Sequence, residues 1–291
     1  MEISEKAPAK LNFSLDTPFR HQNGEPEWKM VMIAVDLADY VHIQTLPNSH
    51  KITVSTDSGF LPSDQRNLAY QAAKMLRDKY QINEGVAISI DKNIPVAAGM
   101  GGGSSDAAAV LRGLNKLWQL GLSRKELAKI GLEIDSDVPF CIYSEPAFVT
   151  GKGEIVIPIG PLPPLKLIIA KPRDSVSTPS ILRKIDYDKI KHQDVDAVVC
   201  AIKAQDYATM VTKMGNTLEP ITARRHPEIL KIKEKMLQFG CDAAQMSGSG
   251  PTVFGVCQKA SRAQHIYNSL RGFCKEVYIV SPYNLDQQTC F

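Results

Sequence analysis

The sequence has no apolar run approaching the length of a membrane span. It has no CxxC pair and no Cys/His spacing of a metal site, although it carries six cysteines, at 141, 200, 241, 257, 274 and 290. These cysteines sit among apolar neighbours, which predicts reduced core thiols of a cytoplasmic protein. Residues Met1-Glu2-Ile3-Ser4-Glu5 lack the apolar stretch of a signal peptide. No charge of one sign prevails: 34 basic and 31 acidic residues give +3, spread along the chain. That balance argues against nucleic acid and against an anionic membrane, and leaves a small anionic ligand open. Repeats and low-complexity segments are absent as well. There is no GxxxxGK[ST], no GxGxxG after a strand, and no HRD or DFG sequence. Their absence excludes a P-loop, a dinucleotide fold and a protein-kinase site.

What is present is ordinary globular material, 44% hydrophobic and 22% charged over 291 residues. That length suits two cores of roughly 130–150 residues each. Residues 8–16 and 28–45 alternate apolar and polar as strands do. Residues 67–80 have helical spacing, with Ser63 or Asp64 as caps. A strand is expected at Val86 to Asp91 and a helix from about Ser105 to Leu120. A further helix is expected from Ser123, with Glu126 completing a capping box. Ile159-Gly-Pro-Leu-Pro-Pro164 opposes helix and strand alike and predicts a domain boundary. Residues 1–160 and 161–291 are therefore read as two domains. Strands are expected at 165–171, 243–247, 252–257 and 276–280, and helices near 194–214, 227–238 and 260–271. This mixture predicts an α+β protein in which sheets are covered by helices, without the regular alternation of a doubly wound sheet.

Four segments carry chemistry. Pro95-Val-Ala97-Ala98-Gly99-Met100-Gly101-Gly102-Gly103-Ser104-Ser105-Asp106-Ala107 joins a glycine turn to a helix. Its glycines let the backbone approach a ligand, and the helix dipole aims at the same point, as a polyphosphate site requires. Ser104 and Ser105 have hydroxyls suited to cap the helix, donate to phosphate or ligate magnesium. Pro8-Ala9-Lys10-Leu11-Asn12 puts Lys10 and Asn12 on one face of a strand, where an ordinary solvated face is the competing reading. Asp135-Ser136-Asp137-Val138-Pro139-Phe140 is a polar turn whose aspartates suit either a cap or a catalytic base. Met246-Ser247-Gly248-Ser249-Gly250-Pro251-Thr252 is a small-residue loop between two strands, able to close over a ligand or simply to turn the chain.

Taken in order, these segments resemble the motif set of the GHMP kinases, and the whole chain is most similar to the 4-diphosphocytidyl-2-C-methyl-D-erythritol kinases. Asp36-Leu-Ala-Asp39, Ile90-Asp-Lys92, Asp137-Val-Pro-Phe140 and Ile266-Tyr-Asn-Ser-Leu-Arg-Gly-Phe273 belong to that likeness. The resemblance implies an N-terminal domain like domain 2 of ribosomal protein S5 and a ferredoxin-like C-terminal domain. It implies magnesium ATP as cofactor and a small alcohol as substrate, phosphorylated on the 2-hydroxyl in the methylerythritol phosphate route to isoprenoids. It makes Lys10 and Asp137 catalytic and assigns Pro95, Ala97, Ala98, Gly99, Met100, Gly101, Gly102, Gly103, Ser104 and Ser105 to the nucleotide. Asn12, Thr178, Ser247 and Gly248 fall to the substrate and Ser104 to the magnesium ion. No nucleic acid or membrane partner is implied, and the chain is expected as a monomer or homodimer.

Three places depart from the family's pattern. Asn23-Gly24-Glu25-Pro26-Glu27 stands where Asp-Gly-Tyr-His-Glu is usual, which removes a ring and a histidine that hold cytosine. Leu182 replaces a second aromatic, and stacking is worth roughly 1–3 kcal/mol per base. Asp135 adds a negative charge beside Asp137. The Glu25, Pro26 and Leu182 changes set a second reading beside the first, a sister kinase for another small alcohol or polyol. A third reading is a nucleotide-binding protein without activity, against which the intact Lys10, Asp137 and glycine turn argue.

Overall fold

The computed structural model describes residues 1–59 and 61–285. The chain forms two compact units that are interleaved in sequence. The first contains Met1–Lys10, Leu37–Ile94 and Gly101–Ser144; the second contains Leu11–Asp36, Pro95–Met100 and Glu145–Phe291. Two long strands, β1 (Glu2–Asp16) and β2 (Trp28–Leu46), run through both.

In the first unit the later half of β2 alternates strictly, with Tyr40, His42 and Gln44 exposed and Val41, Ile43 and Thr45 buried. That period of two buries one face of the sheet. β3 (Ile52–Thr56) lies parallel to β4 (Gly85–Asp91), which pairs antiparallel with β2, Ile43 opposite Ile88. Between them in sequence is α1 (Leu68–Lys79), whose buried stripe is Ala69, Ala72, Ala73 and Leu76. Its cap is Asn67, not Ser63 or Asp64: Asn67 Oδ1 accepts the Ala69 N–H at 2.9 Å while Nδ2 donates to the Pro62 carbonyl. α2 (Gly102–Leu117) is buried from Ser104 to Leu114 and packs on α1. Its small residues suit a helix enclosed on all sides. α3 (Arg124–Leu132) opens with the expected capping box of Ser123 and Glu126. α4 (Val138–Tyr143) follows Asp137, with Pro139 in its first turn, where proline costs no hydrogen bond.

In the second unit the first half of β2 pairs with β5 (Ala147–Gly151), and β5 with β6 (Ile155–Pro158). β7 (Lys166–Lys171) is followed by α5 (Thr178–Leu182), α6 (Val195–Lys203), α7 (Tyr207–Lys213), α8 (Glu219–Ala223) and α9 (Glu228–Gln238). Then come β8 (Ala243–Met246), β9 (Val253–Cys257), α10 (Ala260–Leu270), β10 (Glu276–Val280) and β11 (Pro282–Tyr283). The helix expected over 194–214 is two helices, because Gln205 takes a positive φ and Asp206 caps a new start. β7, β8, β9 and β10 form an antiparallel sheet in the order β10-β7-β9-β8, with α9 and α10 packed on it. This is the split βαββαβ arrangement of a ferredoxin-like unit, with α5 to α8 inserted after its first strand.

Four cysteines, 141, 241, 257 and 274, are buried and free as expected. Cys200 is exposed, because the buried stripe of α6 is Val195, Val198, Ala201 and Ile202, and position 200 lies off it. Cys290 lies outside the described residues. Among the described residues no helix is long and apolar enough to cross a membrane.

Candidate active site

The first unit brings Lys10, Asp137, Asp135, Ser104 and the N-terminus of α2 together. Lys10 Nζ stands 3.1 Å from Asp137 Oδ2, the lysine side chain 8% and the aspartate 31% accessible. A lysine this buried beside a carboxylate that still reaches solvent makes a charged pair open toward a ligand on one side only. The solvated-face reading of Lys10 and Asn12 is thereby corrected, since both are buried along β1. Asp135 Oδ1 accepts the Asp137 N–H at 3.0 Å and the Ser104 hydroxyl at 2.8 Å. The extra carboxylate thus holds the turn before α4 and ties it to α2.

No side chain caps α2, so neither serine takes the capping role expected of it. Gly101 is the N-cap residue, at φ +66°, and Ser105 N–H makes the first helical bond to its carbonyl. The N–H groups of Gly102, Gly103 and Ser104 are therefore left pointing out of the helix end, a donor set suited to an anion. Ser105 is less available than expected, because its buried hydroxyl donates to the Pro8 carbonyl at 2.8 Å. Burial, with the charge of Asp137 adding to it, holds the Cys141 thiol well above its ordinary range, so it stays a neutral core group.

The base of this helix end rests on charged groups. Lys92 donates to Asp39 and, at 2.7 Å, to Asp106. Asp39 also accepts two backbone N–H groups, from Asn93 and Ile94. Asp106 has one donor, and its Oδ1 is buried without a partner. Burial, reinforced by Asp39 and opposed by Lys92, pushes the Asp106 carboxyl up to about 8. Burial by itself would lower Lys92, but Asp106 and Asp39 more than offset it and raise it. Lys92 thus bridges two carboxyls, and it is the Asp106 carboxyl that burial holds up. A carboxyl raised in the folded chain stabilises fully below its unfolded value near 3.8, and that contribution declines as pH rises towards 8. Asp106→Asn should therefore melt above the native chain at pH 8, with the gap closing by pH 4. A native-like pH slope in the variant would show Asp106 to be ionised.

The second unit gathers Asn12, Ser247, Gly248, Thr178 and Pro95 to Met100. Ser247 Oγ accepts the Asn12 N–H at 3.0 Å. Thr178 and Ser249 hydroxyls are 2.7 Å apart, and Thr252 donates to the Ala98 carbonyl at 2.6 Å. A Cβ on Gly99, at φ +72°, would lie 2.7 Å from the Gly250 carbonyl oxygen, so only glycine fits this approach. Ala97 also adopts a left-handed φ of 53°. The Ala98 and Met100 side chains are core residues, which confines any role with a nucleotide to their backbone. Asn216, which belongs to no motif, donates to the Met246 and Gly248 carbonyls at 2.7 and 2.8 Å. A lone amide between two helices carries no local signal.

At the altered positions, Glu25 is bound to Lys152 at 2.5 Å, and that bond holds its carboxyl below the usual range. Arg20 donates to the Leu182 carbonyl and lies over the Tyr187 ring. Phe19 is exposed, edge-on to His21, and Trp28 is half-buried at the start of β2.

The fold, with its ferredoxin-like unit, is that of a GHMP kinase, an ATP-dependent phosphotransferase. The models of the GHMP kinases N terminal domain and the GHMP kinases C terminal match residues 67–145 and 199–276. A 4-diphosphocytidyl-2-C-methyl-D-erythritol kinase of Ligilactobacillus salivarius is 72% identical, over 96% of this chain and 97% of its own length. One from Levilactobacillus brevis is 61% identical, over 97% and 99%. A solved 4-(cytidine 5'-diphospho)-2C-methyl-D-erythritol kinase superposes with a TM-score of 0.81 at 29% identity, covering 96% of this chain and 99% of that one. A homoserine kinase from Cytophaga hutchinsonii, 20% identical with a TM-score of 0.80 over 97% and 95%, shares the fold. The chain belongs to the 4-diphosphocytidyl-2-C-methyl-D-erythritol kinase family.

Proposed function

We propose that this chain transfers the γ-phosphoryl group of ATP to the 2-hydroxyl of 4-diphosphocytidyl-2-C-methyl-D-erythritol, a cytoplasmic step of the methylerythritol phosphate route to isoprenoids. The observation that carries the reading is the 3.1 Å Lys10–Asp137 pair in the same unit as the open end of α2. The name shared by relatives at 61–72% identity supports the acceptor. Residues 1–160 are the ATP-binding domain and 161–291 the C-terminal domain, each containing one of the matched family segments.

Asp137 takes the proton of the acceptor hydroxyl, and Lys10, paired with it, stabilises the charge that develops. The N–H groups of Gly102, Gly103 and Ser104 receive phosphate oxygens, with Pro95, Ala97, Ala98, Gly99, Met100 and Gly101 shaping the backbone before them. Ser104 Oγ and Asp135 Oδ1, 2.8 Å apart, are oxygen donors of the kind that suits magnesium beside phosphate. Magnesium ATP supplies the transferable phosphoryl group and masks its charge. Ser105 acts through its fixed position, its hydroxyl being engaged elsewhere. Asn12, Thr178, Ser247 and Gly248 orient the acceptor.

One observation favours the sister-kinase reading: Glu25 is committed to Lys152 where the family's pattern has a ring for cytosine. The deciding measurement is ATP-to-ADP turnover with magnesium, with and without 4-diphosphocytidyl-2-C-methyl-D-erythritol. Stimulation by that substrate, abolished in Lys10→Ala, is expected. ATP binding without stimulation would move the search to other alcohols.

A further inference from the structure

Two segments marked in the sequence, Asp36-Leu-Ala-Asp39 and Ile90-Asp-Lys92, have no part in the chemistry above, yet they meet in one buried cluster. Asp39 on β2 is fully buried, and the Lys92 and Asp106 side chains are 7% and 5% accessible. Asp39 Oδ1 accepts the N–H of Asn93 at 2.6 Å and of Ile94 at 2.8 Å, and Asn93 Nδ2 donates to the Ala38 carbonyl. Ile94 is the last residue before the glycine turn. Lys92 joins Asp39 to Asp106, which is on the first turns of α2, just after the glycine turn. A Cβ on Gly102 would lie 3.5 Å from Lys92 Nζ and 3.4 Å from Ile94 Cγ2, so the helix start sits directly against the cluster.

We propose that Asp39, Lys92 and Asp106 are positioning residues for phosphoryl transfer: they fix the entry and exit of the turn 95–101, and so aim the α2 N–H groups at the nucleotide. The proposal rests on the reading that this turn binds ATP. A buried ion cluster is a poor way to gain stability compared with apolar packing. It is a good way to fix a geometry, because Asp39 and Lys92 each have a set of partners that no shifted arrangement would satisfy.

The test compares the native chain with Lys92→Met and Asp39→Asn in steady-state kinetics, varying ATP and the alcohol separately. The KM for ATP should rise by about tenfold to a hundredfold, since misplacing a binding group by an ångström has effects of that order. The KM for the alcohol should stay within about twofold, and the Asp39→Asn/Lys92→Met pair should be no worse than Lys92→Met alone, as for residues acting as one unit. Circular dichroism monitors the folded fraction. Asp106→Ala, which cuts only the tie to α2, gives a second measure should Lys92→Met not fold, and its KM for ATP should rise as well. An unchanged KM for ATP, with kcat falling only as the folded fraction falls, would make the cluster purely structural and overturn the proposal. A native chain that does not saturate with ATP would instead overturn the nucleotide reading itself.

Discussion

Asp137→Asn is expected to slow turnover by about 10²–10⁴-fold, the usual contribution of a positioned general base, with little change in the KM for ATP. Asparagine keeps the shape of the side chain, and the Asp137 N–H bond to Asp135 does not depend on the carboxylate. What is lost is a proton acceptor and the partner of a lysine that is 8% accessible. Lys10 then carries a charge with one fewer counter-charge beside it, so Lys10→Ala combined with Asp137→Asn should cost less than the sum of the two. Rapid-quench measurement of a single turnover isolates the chemical step from product release. A rate within threefold of the native chain's would remove Asp137 from proton transfer.

Gly101→Ala should damage both stability and activity. Its φ of +66° costs a non-glycine residue about 1–2 kcal/mol. The added Cβ would also lie 2.7 Å from Lys10 Cγ and 3.2 Å from Cε, so the lysine that pairs with Asp137 has to shift. A displacement of this size should lower kcat/KM by about 10²-fold. Gly103→Ala is the control for stability: its Cβ meets only Leu68 Cδ1, at 3.5 Å, and alanine within a helix gains roughly 0.5–1 kcal/mol over glycine. Thermal melting of the two variants should therefore move in opposite directions. Equal destabilisation would mean that neither the positive φ of Gly101 nor its contact with Lys10 sets that position apart.

The parts of this protein legible in its sequence are those set by neighbours in the chain. Ser123 and Glu126 announced their capping box because both partners are three residues apart. The glycine turn and alanine helix were equally plain, as were the four strands of the ferredoxin-like sheet. Ser63, Asp64 and Asn67 are all residue types that cap helices, and only the fold brings the Ala69 N–H to the amide of Asn67. The short helix α4 is hidden in its sequence, since Asp-Val-Pro offers both a cap and a break. Lys10 and Asn12 were harder: period-two reasoning places them on one face, but only the fold covers that face. The fates of Ser104 and Ser105 depend on Asp135 and Pro8, distant in sequence, and no local pattern separates the two hydroxyls.

The interleaving of the two units has a consequence for how the protein is made. Trp28 to Met32 emerge early from the ribosome, but their β5 partners, Ala147 to Gly151, are more than a hundred residues behind. At usual rates of translation that is a wait of roughly ten seconds, during which an apolar strand edge in the nascent chain has no mate. Met30, Val31 and Met32, all buried in the finished molecule, are the apolar residues on that waiting edge.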